Sequence, residues 1–419
     1  MEKIRIRSEG ALRLNGRVKI SGSKNAVLPA IAAALLTREK VRLRNVPLVK
    51  DVHTILTLMK GLGADSSLRR NTLTLEAEKF ASTEASYELV RAMRASILVL
   101  GPMLARSGKA VVALPGGCAI GTRPIDLHMN GLQKMGARLT LEHGYITAEA
   151  SKLRGADITF EKKTVGGTEN IVMAACLARG ETVLRNCARE PEVESLCRLL
   201  VKMGGRIEGV GEDVMRVRGV DELGGAAHDI IPDRIEAGTF LVAGALNQGS
   251  IDLVDADPAH LSTVIERLRF SGTRVEVKKD RIRVAGGGSI LPQDITTSPY
   301  PGFPTDMQAQ FMVLLTQAAG TSIITETIFE RRFSHVNELL RLGANIEVLG
   351  DKAIVRGRTP LSAAEVMATD LRASASLILA GLVAKGETVI NDVEHLDRGY
   401  ENIEDKLRGL GADIKRISA

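Results

Sequence analysis

A glycine-rich loop contains the residue best suited to covalent or acid chemistry. The loop runs Leu114-Pro115-Gly116-Gly117-Cys118-Ala119-Ile120-Gly121-Thr122-Arg123-Pro124. Its three glycines and two prolines exclude a regular helix or strand, so Cys118 lies in irregular backbone. Arg123 follows five residues later, and a nearby cation lowers the pKa of a thiol and makes it more reactive. The residues alone leave two interpretations open, a functional thiol and an incidental cysteine in a surface loop.

Two further segments each place an arginine ahead of a run of small residues. One is Arg-Ala-Met-Arg-Ala-Ser at 91–96, and the other is Thr-Asp-Leu-Arg-Ala-Ser-Ala-Ser at 369–376. A helix N-terminus favours anions, and small residues let other backbone approach closely. Each segment alone fits an ordinary surface cap. As a pair, they favour anion binding near Arg94 and Arg372.

The overall charge is compatible with an anionic ligand and gives little support for nucleic acid. The chain has 56 basic and 50 acidic residues, a net charge of +6, which also fits an ordinary solvated surface. Aromatic residues make up 3% and tryptophan is absent, whereas single-strand platforms stack bases on aromatic rings. No helix or loop has a dense Lys/Arg stripe. We therefore expect no nucleic-acid partner.

A repeat that runs through the whole chain must position these residues. Six similar segments, such as Leu-Met-Lys-Gly-Leu-Gly-Ala at 58–64, end at glycines 63, 136, 204, 272, 343 and 411. A second series of glycines, at 180, 249, 320 and 386, precedes short β-branched runs. A period of about 70 residues held this closely predicts six structural repeats.

Each repeat is predicted to contain a strand, a helix and a strand hairpin. The apolar residues of the first helix follow the spacing of one buried face; they are Val52, Ile55, Leu56, Met59 and Leu62. Asp51 is expected to be the N-cap, and Gly63 the left-handed residue after the helix. Alternating apolar residues at 275–284 are typical of a hairpin.

The length predicts two lobes of three repeats. A single core stops growing near about 250–300 residues, and longer chains divide. The polar, proline-containing stretch 230–233 is the predicted break. We expect one lobe at 24–231 and the second at 1–23 plus 232–419, with the active site in the cleft between them.

The remaining composition predicts a cytosolic protein without a metal site. The first residues lack the apolar core of a secretory signal, and the longest apolar stretches, 26–36 and 373–384, are too short to span a membrane. The cysteines form no CxxC pair, so we expect reduced thiols, with Cys176, Cys187 and Cys197 as buried apolar residues. None of the seven histidines pairs with another at i+4, so no metal site is expected.

Together with the repeat, several longer motifs resemble the enolpyruvyl transferase family over essentially the whole chain. The motifs are Ser-Gly-Ser-Lys-Asn-Ala at 21–26, the Pro-Gly-Gly-Cys loop, Pro-Asp-Arg-Ile-Glu at 232–236, Pro-Thr-Asp-Met-Gln-Ala-Gln at 304–310 and Asp-Arg-Gly-Tyr at 397–400. The resemblance implies an α/β fold of two inside-out α/β barrels, each made of three repeats. The cysteine loop favours the UDP-sugar branch of the family over the shikimate branch.

The resemblance also implies a reaction and needs no cofactor. The enolpyruvyl group of phosphoenolpyruvate would move to the 3′-hydroxyl of UDP-N-acetylglucosamine, with release of phosphate, by addition to a tetrahedral ketal and then elimination. This is the committed step towards peptidoglycan. Cys118 would donate the proton or form a covalent adduct, and Asp306 would accept or position the hydroxyl proton. Lys24 and Arg398 complete the expected catalytic set.

The substrate contacts carried over from the family fall into two groups. Those expected for phosphoenolpyruvate are Lys24, Asn25, Cys118, Arg123, Arg332, Arg372 and Arg398. Those expected for UDP-N-acetylglucosamine are Asn25, Arg94, Arg123, Pro124, Ile125, Asp126, Leu127, Lys162, Lys163, Thr164, Val165, Gly166, Asp306 and Ile328. At 162–164 the match is least faithful, so backbone contacts are expected there more than side-chain contacts.

Three alternatives are compatible with parts of this pattern. A shikimate-type transferase would share the repeats but lack the cysteine loop. A basic repeat protein that binds nucleic acid would lose affinity steeply with salt. A relative that has lost activity would keep ligand binding only. The joint presence of Cys118, Asp306, Lys24 and the arginines argues against the last alternative, because an inactive copy need not retain all of them.

Overall fold

The computed structural model describes residues 2–114 and 125–418. Within those ranges the chain forms 24 strands, 13 α-helices and five short 3-10 segments. The strands are β1 (Glu2–Ser8), β2 (Asn15–Lys19), β3 (Val41–Arg44), β4 (Asp65–Arg69), β5 (Thr72–Glu76), β6 (Glu84–Ala85), β7 (Lys109–Ala113), β8 (Arg138–Glu142), β9 (Tyr145–Glu149), β10 (Asp157–Thr159), β11 (Glu181–Arg185), β12 (Arg206–Glu208), β13 (Val214–Arg218), β14 (Ala226–Asp229), β15 (Ser250–Val254), β16 (Arg274–Lys278), β17 (Arg281–Ala285), β18 (Ile295–Thr296), β19 (Thr321–Thr325), β20 (Ile346–Leu349), β21 (Lys352–Arg356), β22 (Glu365–Met367), β23 (Gly386–Asn391) and β24 (Asp413–Ser418).

The helices alternate with these strands. They are α1 (Lys24–Ala33), α2 (Lys50–Gly61), α3 (Tyr87–Ala92), α4 (Leu100–Ser107), α5 (Asp126–Lys134), α6 (Val165–Ala175), α7 (Pro191–Lys202), α8 (Arg234–Leu246), α9 (Ser262–Phe270), α10 (Gln308–Thr316), α11 (Val336–Arg341), α12 (Leu371–Val383) and α13 (Ile403–Gly409). The 3-10 segments are Ala34–Leu36, Arg94–Val99, Pro258–Leu261, Thr305–Met307 and Val393–Arg398.

The described chain divides into two compact units. Lobe A consists of residues 22–114 and 125–231, and lobe B of residues 2–21 and 232–418. Each lobe has its own hydrophobic core, as expected for a chain longer than a single core supports.

Each lobe contains three four-stranded sheets of the same topology. In every sheet a parallel edge strand precedes three antiparallel strands. The orders in lobe A are β14-β3-β5-β4, β6-β7-β9-β8 and β10-β11-β13-β12; those in lobe B are β2-β15-β17-β16, β18-β19-β21-β20 and β22-β23-β1-β24. In five sheets the antiparallel part is the strand, helix and hairpin predicted for each repeat. In the sixth, β24 pairs with β1 from the other end of the chain, so the predicted hairpin is absent there. The sequence period still corresponds to one sheet per repeat.

Three buried helices fill the centre of lobe B. These are α8, α10 and α12, which pack against one another and are buried along nearly their whole lengths. A helix that is apolar on all faces belongs in a core. In lobe A the buried segments are α1, α6 and the stretch 94–107. Each lobe is therefore a barrel with its helices inside and its sheets outside.

β2 and β14 each pair with a strand of one lobe although the helix that follows them belongs to the other lobe. β2 directly precedes α1 of lobe A but pairs with β15 of lobe B, and β14 directly precedes α8 of lobe B but pairs with β3 of lobe A. The chain consequently leaves lobe B after Ser21 and returns to it at Pro232. Lobe B therefore requires residues 2–21 together with residues 232–418.

The glycines of the repeat have the backbone that the sequence predicts. All six, at 63, 136, 204, 272, 343 and 411, have φ between 87° and 108°. Such angles are costly for residues with a Cβ atom, which explains why glycine follows the helix after the second strand of each sheet. We call these the outer helices, to distinguish them from the buried ones; they are α2, α5, α7, α9, α11 and α13.

The structure corrects one prediction for the first repeat. Asp51 is not the N-cap of α2, because the helix begins at Lys50 after Val49. Its carboxylate is buried instead, with Oδ2 3.4 Å from Nζ of Lys24. Among residues 2–114 and 125–418, no helix is long and apolar enough to cross a membrane.

Candidate functional site

Three side chains predicted from separate motifs meet in lobe B. Asp306 accepts from Nη2 of Arg332 at 2.6 Å through Oδ1, and from Nη2 and Nε of Arg372 at 2.8 and 3.1 Å through Oδ2. The side chains of both arginines are 7% exposed and that of Asp306 is 25% exposed. One carboxylate oxygen therefore binds each arginine, and we call this the Asp306 cluster.

The charges of the cluster keep Asp306 ionised. Burial alone would raise the pKa of this carboxyl group, but the positive charges of Arg372 and Arg332 outweigh it and hold the pKa well below its ordinary value. The Asp306 carboxylate likewise raises the pKa of Arg372, against the effect of burial. In this state Asp306 is a weak base, because two cations stabilise its charged form.

Local structure fixes each member of the cluster. Asp306 lies in the 3-10 turn Thr305–Met307 after Pro304, and it makes no cap bond to the helix that follows. Arg372 is the second residue of α12, where Asp370 caps the helix by accepting from the N–H groups of Arg372 and Ala373. The predicted arginine at a helix start is thus present, although its side chain contacts a protein carboxylate.

Arg398 lies beside the start of α12. It ends the 3-10 segment Val393–Arg398. A Cβ atom added to the next residue, Gly399, would lie 2.7 Å from Cδ2 of Leu371, so the backbone here packs closely against that side chain. The ring of Tyr400 lies 5.6 Å from the Arg372 guanidinium carbon. Arg398 therefore neighbours the cluster through the packing of residues 399 and 400.

A buried carboxylate organises the remaining predicted residue of lobe B. Glu326, 4% exposed, accepts through Oε1 from the N–H groups of Ile328 and Phe329 at 2.8 and 3.2 Å. These bonds fix the loop after β19 that carries Ile328 and Arg332. Through Oε2 it accepts from the hydroxyl of Thr305 at 2.8 Å.

In lobe A, Lys24 and Asn25 form the first turn of α1. Ser23 caps the helix by accepting from the N–H of Ala26 at 3.3 Å. The Lys24 ammonium pairs with the buried carboxylate of Asp51, and its side chain is only 13% exposed. Lys24 is thus held at a helix N-terminus, where its charge adds to that of the helix dipole.

Several residues predicted to contact the sugar nucleotide lie around His128. Burial and, to a smaller extent, the charge of Arg94 lower the pKa of His128 to about 4, against the opposing effect of Asp126. A Cβ atom added to Gly166 would lie 3.3 Å from the imidazole. Nδ2 of Asn170 lies 3.0 Å from Nδ1 of His128, so Nδ1 accepts and the proton of the neutral ring is on Nε2.

The stretch 162–166 enters α6. Thr164 is the N-cap and accepts from the N–H of Gly167 at 3.1 Å. The ammonium of Lys163 bonds the carbonyl of Cys187 at 3.0 Å and pairs with Asp213. Val165 and Gly166 begin the helix, where the first N–H groups have no intrahelical acceptor. Backbone contacts here remain the better prediction, since the Lys163 side chain is engaged and Lys162 is exposed.

Ile125, Asp126 and Leu127 form the start of α5. Ile125 is the N-cap residue, and Asp126 accepts from the N–H of Leu127 at 2.9 Å. Cys118, Arg123 and Pro124 lie outside the described residues, so their predicted roles stay predictions.

The other three cysteines are unsuited to thiolate chemistry. Cys176, Cys187 and Cys197 are fully buried and free, as expected. Burial raises the pKa of Cys176 to about 12 and that of Cys187 to about 11, and it raises the pKa of Cys197 as well. No group of three or more metal-ligating side chains occurs in residues 2–114 and 125–418.

Sequence reasoning missed the residues that hold the site together. Glu326 lies outside the family motifs, Thr305 lies within the motif at 304–310 but was given no role, and Asn170 lies inside an apolar helix. The sequence does contain a signal for Glu326, which lies between two threonines directly after the β-branched run 321–325. A charged residue there is costly to bury without hydrogen-bond partners, so partners are expected.

Comparisons with known proteins agree with this architecture. The sequence model of the EPSP synthase (3-phosphoshikimate 1-carboxyvinyltransferase) family matches residues 8–407. A UDP-N-acetylglucosamine 1-carboxyvinyltransferase of Koribacter versatilis is 57% identical over 100% of this chain and 97% of its own length. One from Desulfatibacillum aliphaticivorans is 55% identical over the full length of both.

Solved structures share the fold. The enolpyruvyl transferase NikO from Streptomyces tendae has a TM-score of 0.90 at 25% identity, covering 100% of this chain and 99% of its own. EPSP synthase from Acinetobacter baumannii has a TM-score of 0.77 at 18% identity, with full coverage of both chains. The predicted α/β fold of six repeats, three to a lobe, is confirmed, and the chain belongs to the EPSP synthase family of enolpyruvyl transferases.

Proposed function

We propose that the chain transfers the enolpyruvyl group of phosphoenolpyruvate to the 3′-hydroxyl of UDP-N-acetylglucosamine and releases phosphate, the first committed step of peptidoglycan synthesis. The observation that carries this proposal is full-length identity of 53–57% to relatives bearing that activity in their names. The Asp306 cluster supports it, because two guanidinium groups suit a substrate carboxylate. A cytosolic location fits both water-soluble substrates.

The addition step needs one proton removed and one supplied. The 3′-hydroxyl oxygen bonds to C2 of phosphoenolpyruvate while its proton passes to a base, and a proton from an acid adds to the C3 methylene. A tetrahedral ketal results. Elimination then takes a proton from C3 and expels phosphate, which regenerates the double bond. In this proposal Cys118 is the acid and Asp306 is the base or positions the hydroxyl.

The ion pairs of Asp306 make its basicity dependent on substrate. Arg332 and Arg372 hold its pKa far below neutrality. The carboxylate of phosphoenolpyruvate would share these two guanidinium groups, so Asp306 would lose part of its stabilisation and its pKa would rise. The base would thereby be activated when the enolpyruvyl donor is bound.

The other predicted residues divide by lobe. In lobe B, Arg398 would bind the phosphate, and Asp306 and Ile328 would lie near the sugar. In lobe A, Lys24 would contact the phosphate, Asn25 both substrates, and Arg94, Asp126, the start of α5 and the first turn of α6 the uridine diphosphate. Cys118 and Arg123 would belong to the phosphoenolpyruvate site.

Phosphate release tests the proposal directly. The purified chain is incubated with phosphoenolpyruvate alone, with UDP-N-acetylglucosamine, or with shikimate 3-phosphate as the alternative acceptor suggested by the family name. We expect rapid release only with the UDP-sugar. Release with shikimate 3-phosphate alone would support the shikimate branch instead.

A further inference from the structure

Glu326 is a buried carboxylate that the proposed reaction does not use. It accepts from four donors: the hydroxyls of Thr297 and Thr305 and the N–H groups of Ile328 and Phe329. Three of them share Oε1, and Thr305 alone binds Oε2. A buried carboxylate is costly to desolvate, so this charge needs all four bonds.

Thr305 connects this carboxylate to the Asp306 cluster. Its hydroxyl donates to Oε2 of Glu326 at 2.8 Å and accepts from Nη1 of Arg332 at 2.7 Å. Arg332 in turn donates through Nη2 to Asp306 at 2.6 Å. Because Glu326 takes the hydroxyl proton, the Thr305 oxygen presents a lone pair to Arg332. Arg332 can only donate, so Glu326 determines where the Thr305 hydroxyl proton points, and with it the lone pair that Arg332 meets.

We propose that Glu326 is a positioning residue, which acts through Thr305 to aim the Arg332 guanidinium at the carboxylate of phosphoenolpyruvate. The same carboxylate fixes the backbone of Ile328 through its other oxygen. This inference rests on the proposed function. When the substrate carboxylate draws Arg332 away from Asp306, the bond to Thr305 keeps one edge of the guanidinium in place, so the arginine changes partner without losing its orientation.

The substitution Glu326→Gln distinguishes the role of Oε2 from that of Oε1. A glutamine amide has one acceptor oxygen and an NH₂ group that only donates. Three donors face Oε1 and one faces Oε2, so the amide oxygen takes the Oε1 position and retains the loop. The NH₂ group then faces Thr305, whose hydroxyl can no longer donate there. The Thr305 oxygen can accept from this NH₂ group as well as from Arg332, so the change removes the anionic acceptor that orients the hydroxyl and retains the fold of residues 326–329.

Steady-state kinetics of the full chain test the inference. We expect Glu326→Gln to lower kcat/KM for phosphoenolpyruvate roughly tenfold or more, the scale of one hydrogen bond to a charged group. The KM for UDP-N-acetylglucosamine should change by no more than about threefold, because the bonds at the Oε1 position that hold Ile328, a predicted sugar contact, are retained. Thr305→Val should reproduce this split, and Thr305→Ser should retain near-parent kinetics because it keeps the hydroxyl.

A double-mutant cycle distinguishes positioning from mere support of the fold. If Glu326 acts through Thr305, adding Glu326→Gln to Thr305→Val should cause little further loss. Thr297→Val is the matched control, since it removes a bond to Oε1 on the side away from Arg332. It should lower the melting temperature and leave kcat/KM for phosphoenolpyruvate within about twofold.

Each outcome decides between these possibilities. Unchanged kcat/KM for phosphoenolpyruvate in Glu326→Gln, multiplicative losses in the double variant, or an equal loss in Thr297→Val would each overturn the inference. If Glu326→Gln does not fold, the Thr305→Val and Thr305→Ser pair decides it. A parent protein that releases no phosphate with either acceptor would contradict the proposed function itself. A parent that is active with unaffected variants would contradict only the role of Glu326.

Discussion

At the residue scale, the central feature is a carboxylate that is ionised because two arginines hold it. Asp306 has one oxygen on Arg332 and the other on Arg372. An anionic ligand must compete with Asp306 for these cations. Removing the negative charge of Asp306 should therefore affect the binding of an anionic substrate and the proton transfer in opposite directions.

We expect Asp306→Asn to lower product formation at least about a hundredfold, because an amide is not a base. Binding of phosphoenolpyruvate should stay equal or become tighter, since Arg332 and Arg372 lose a competing carboxylate. Phosphate release measures the first effect and titration calorimetry the second. A variant with most of its kcat would remove Asp306 from the proton transfer.

Arg398→Ala provides the contrasting variant. Loss of one charge-assisted hydrogen bond to phosphate costs about 1.5–3 kcal/mol, which is roughly ten- to a hundredfold in kcat/KM for phosphoenolpyruvate. Kinetics with each substrate varied in turn show which affinity falls. Weakened use of the sugar nucleotide alone would contradict the phosphate assignment.

We expect a small electrophile shaped like phosphoenolpyruvate, such as fosfomycin, to alkylate Cys118 and not the other cysteines. Cys176, Cys187 and Cys197 are buried, and burial raises the pKa of each thiol, so little thiolate is present to react. UDP-N-acetylglucosamine should accelerate labelling. Mass spectrometry of tryptic peptides locates the label, and a label spread over all four cysteines would contradict the prediction. Cys118→Ser should abolish both labelling and turnover.

At the element scale, local rules predicted the repeats well and the polar contacts poorly. Positions that need a positive φ, such as Gly63 and Gly343, can be predicted because glycine is strongly favoured there. The spacing of apolar residues predicts the outer helices. The prediction for Asp51 was wrong because the sequence does not distinguish an aspartate that caps a helix from one that is buried against Lys24. Glu326 and Thr305 meet only after β19 and the 304–307 turn come together, and no spacing rule encodes that contact.

The glycine after each outer helix allows a stability test with an internal control. Gly136 has φ of 90° with no atom within 4 Å of an added Cβ, so Gly136→Ala meets only backbone strain. We expect a loss of about 1–2 kcal/mol. Gly61, exposed and helical with equally open space, should become more stable by about 0.5–1 kcal/mol as alanine. Denaturant unfolding compares them, and equal shifts would contradict the argument.

At the scale of the whole molecule, buried histidines should make the fold sensitive to acid. Burial lowers the pKa of His128, His228 and His335 to about 4 each. The unfolded chain binds these protons near pH 6.5, so their contribution is fully present above that pH and is lost as pH falls towards 4. Each such proton changes the free energy of unfolding by about 1.4 kcal/mol per pH unit.

Urea unfolding at pH 7.5, 6 and 5 measures this dependence. His228→Gln should reduce the slope by about one proton. His53→Gln, at an exposed position in α2, is the control and should leave the slope unchanged. A slope that is identical in parent and His228→Gln would show that His228 protonates equally in both states.

The exchange of β2 and β14 predicts which parts of the chain can fold alone. Residues 22–231 contain all the strands of lobe A, so this fragment should unfold cooperatively. Residues 232–419 lack β1 and β2 and should not. Because Glu2 pairs directly with Ser418, joining residues 1–21 to the C-terminus through a short turn should restore that lobe. Circular dichroism during heating compares the fragments, and a stable 232–419 fragment would contradict the prediction.

The pairing of β1 and β2 with strands far along the sequence also has a consequence during translation. β1 and β2 leave the ribosome well before their partners, because β15 follows β2 by about 230 residues and β24 follows β1 by about 410. At about 5–20 residues per second, β1 remains without partners for roughly 20–80 s. An unpaired strand can pair with other chains and aggregate. The charged side chains of Lys3, Arg5 and Arg7 alternate with Ile4 and Ile6. They therefore keep β1 soluble during translation, before the enzyme has folded.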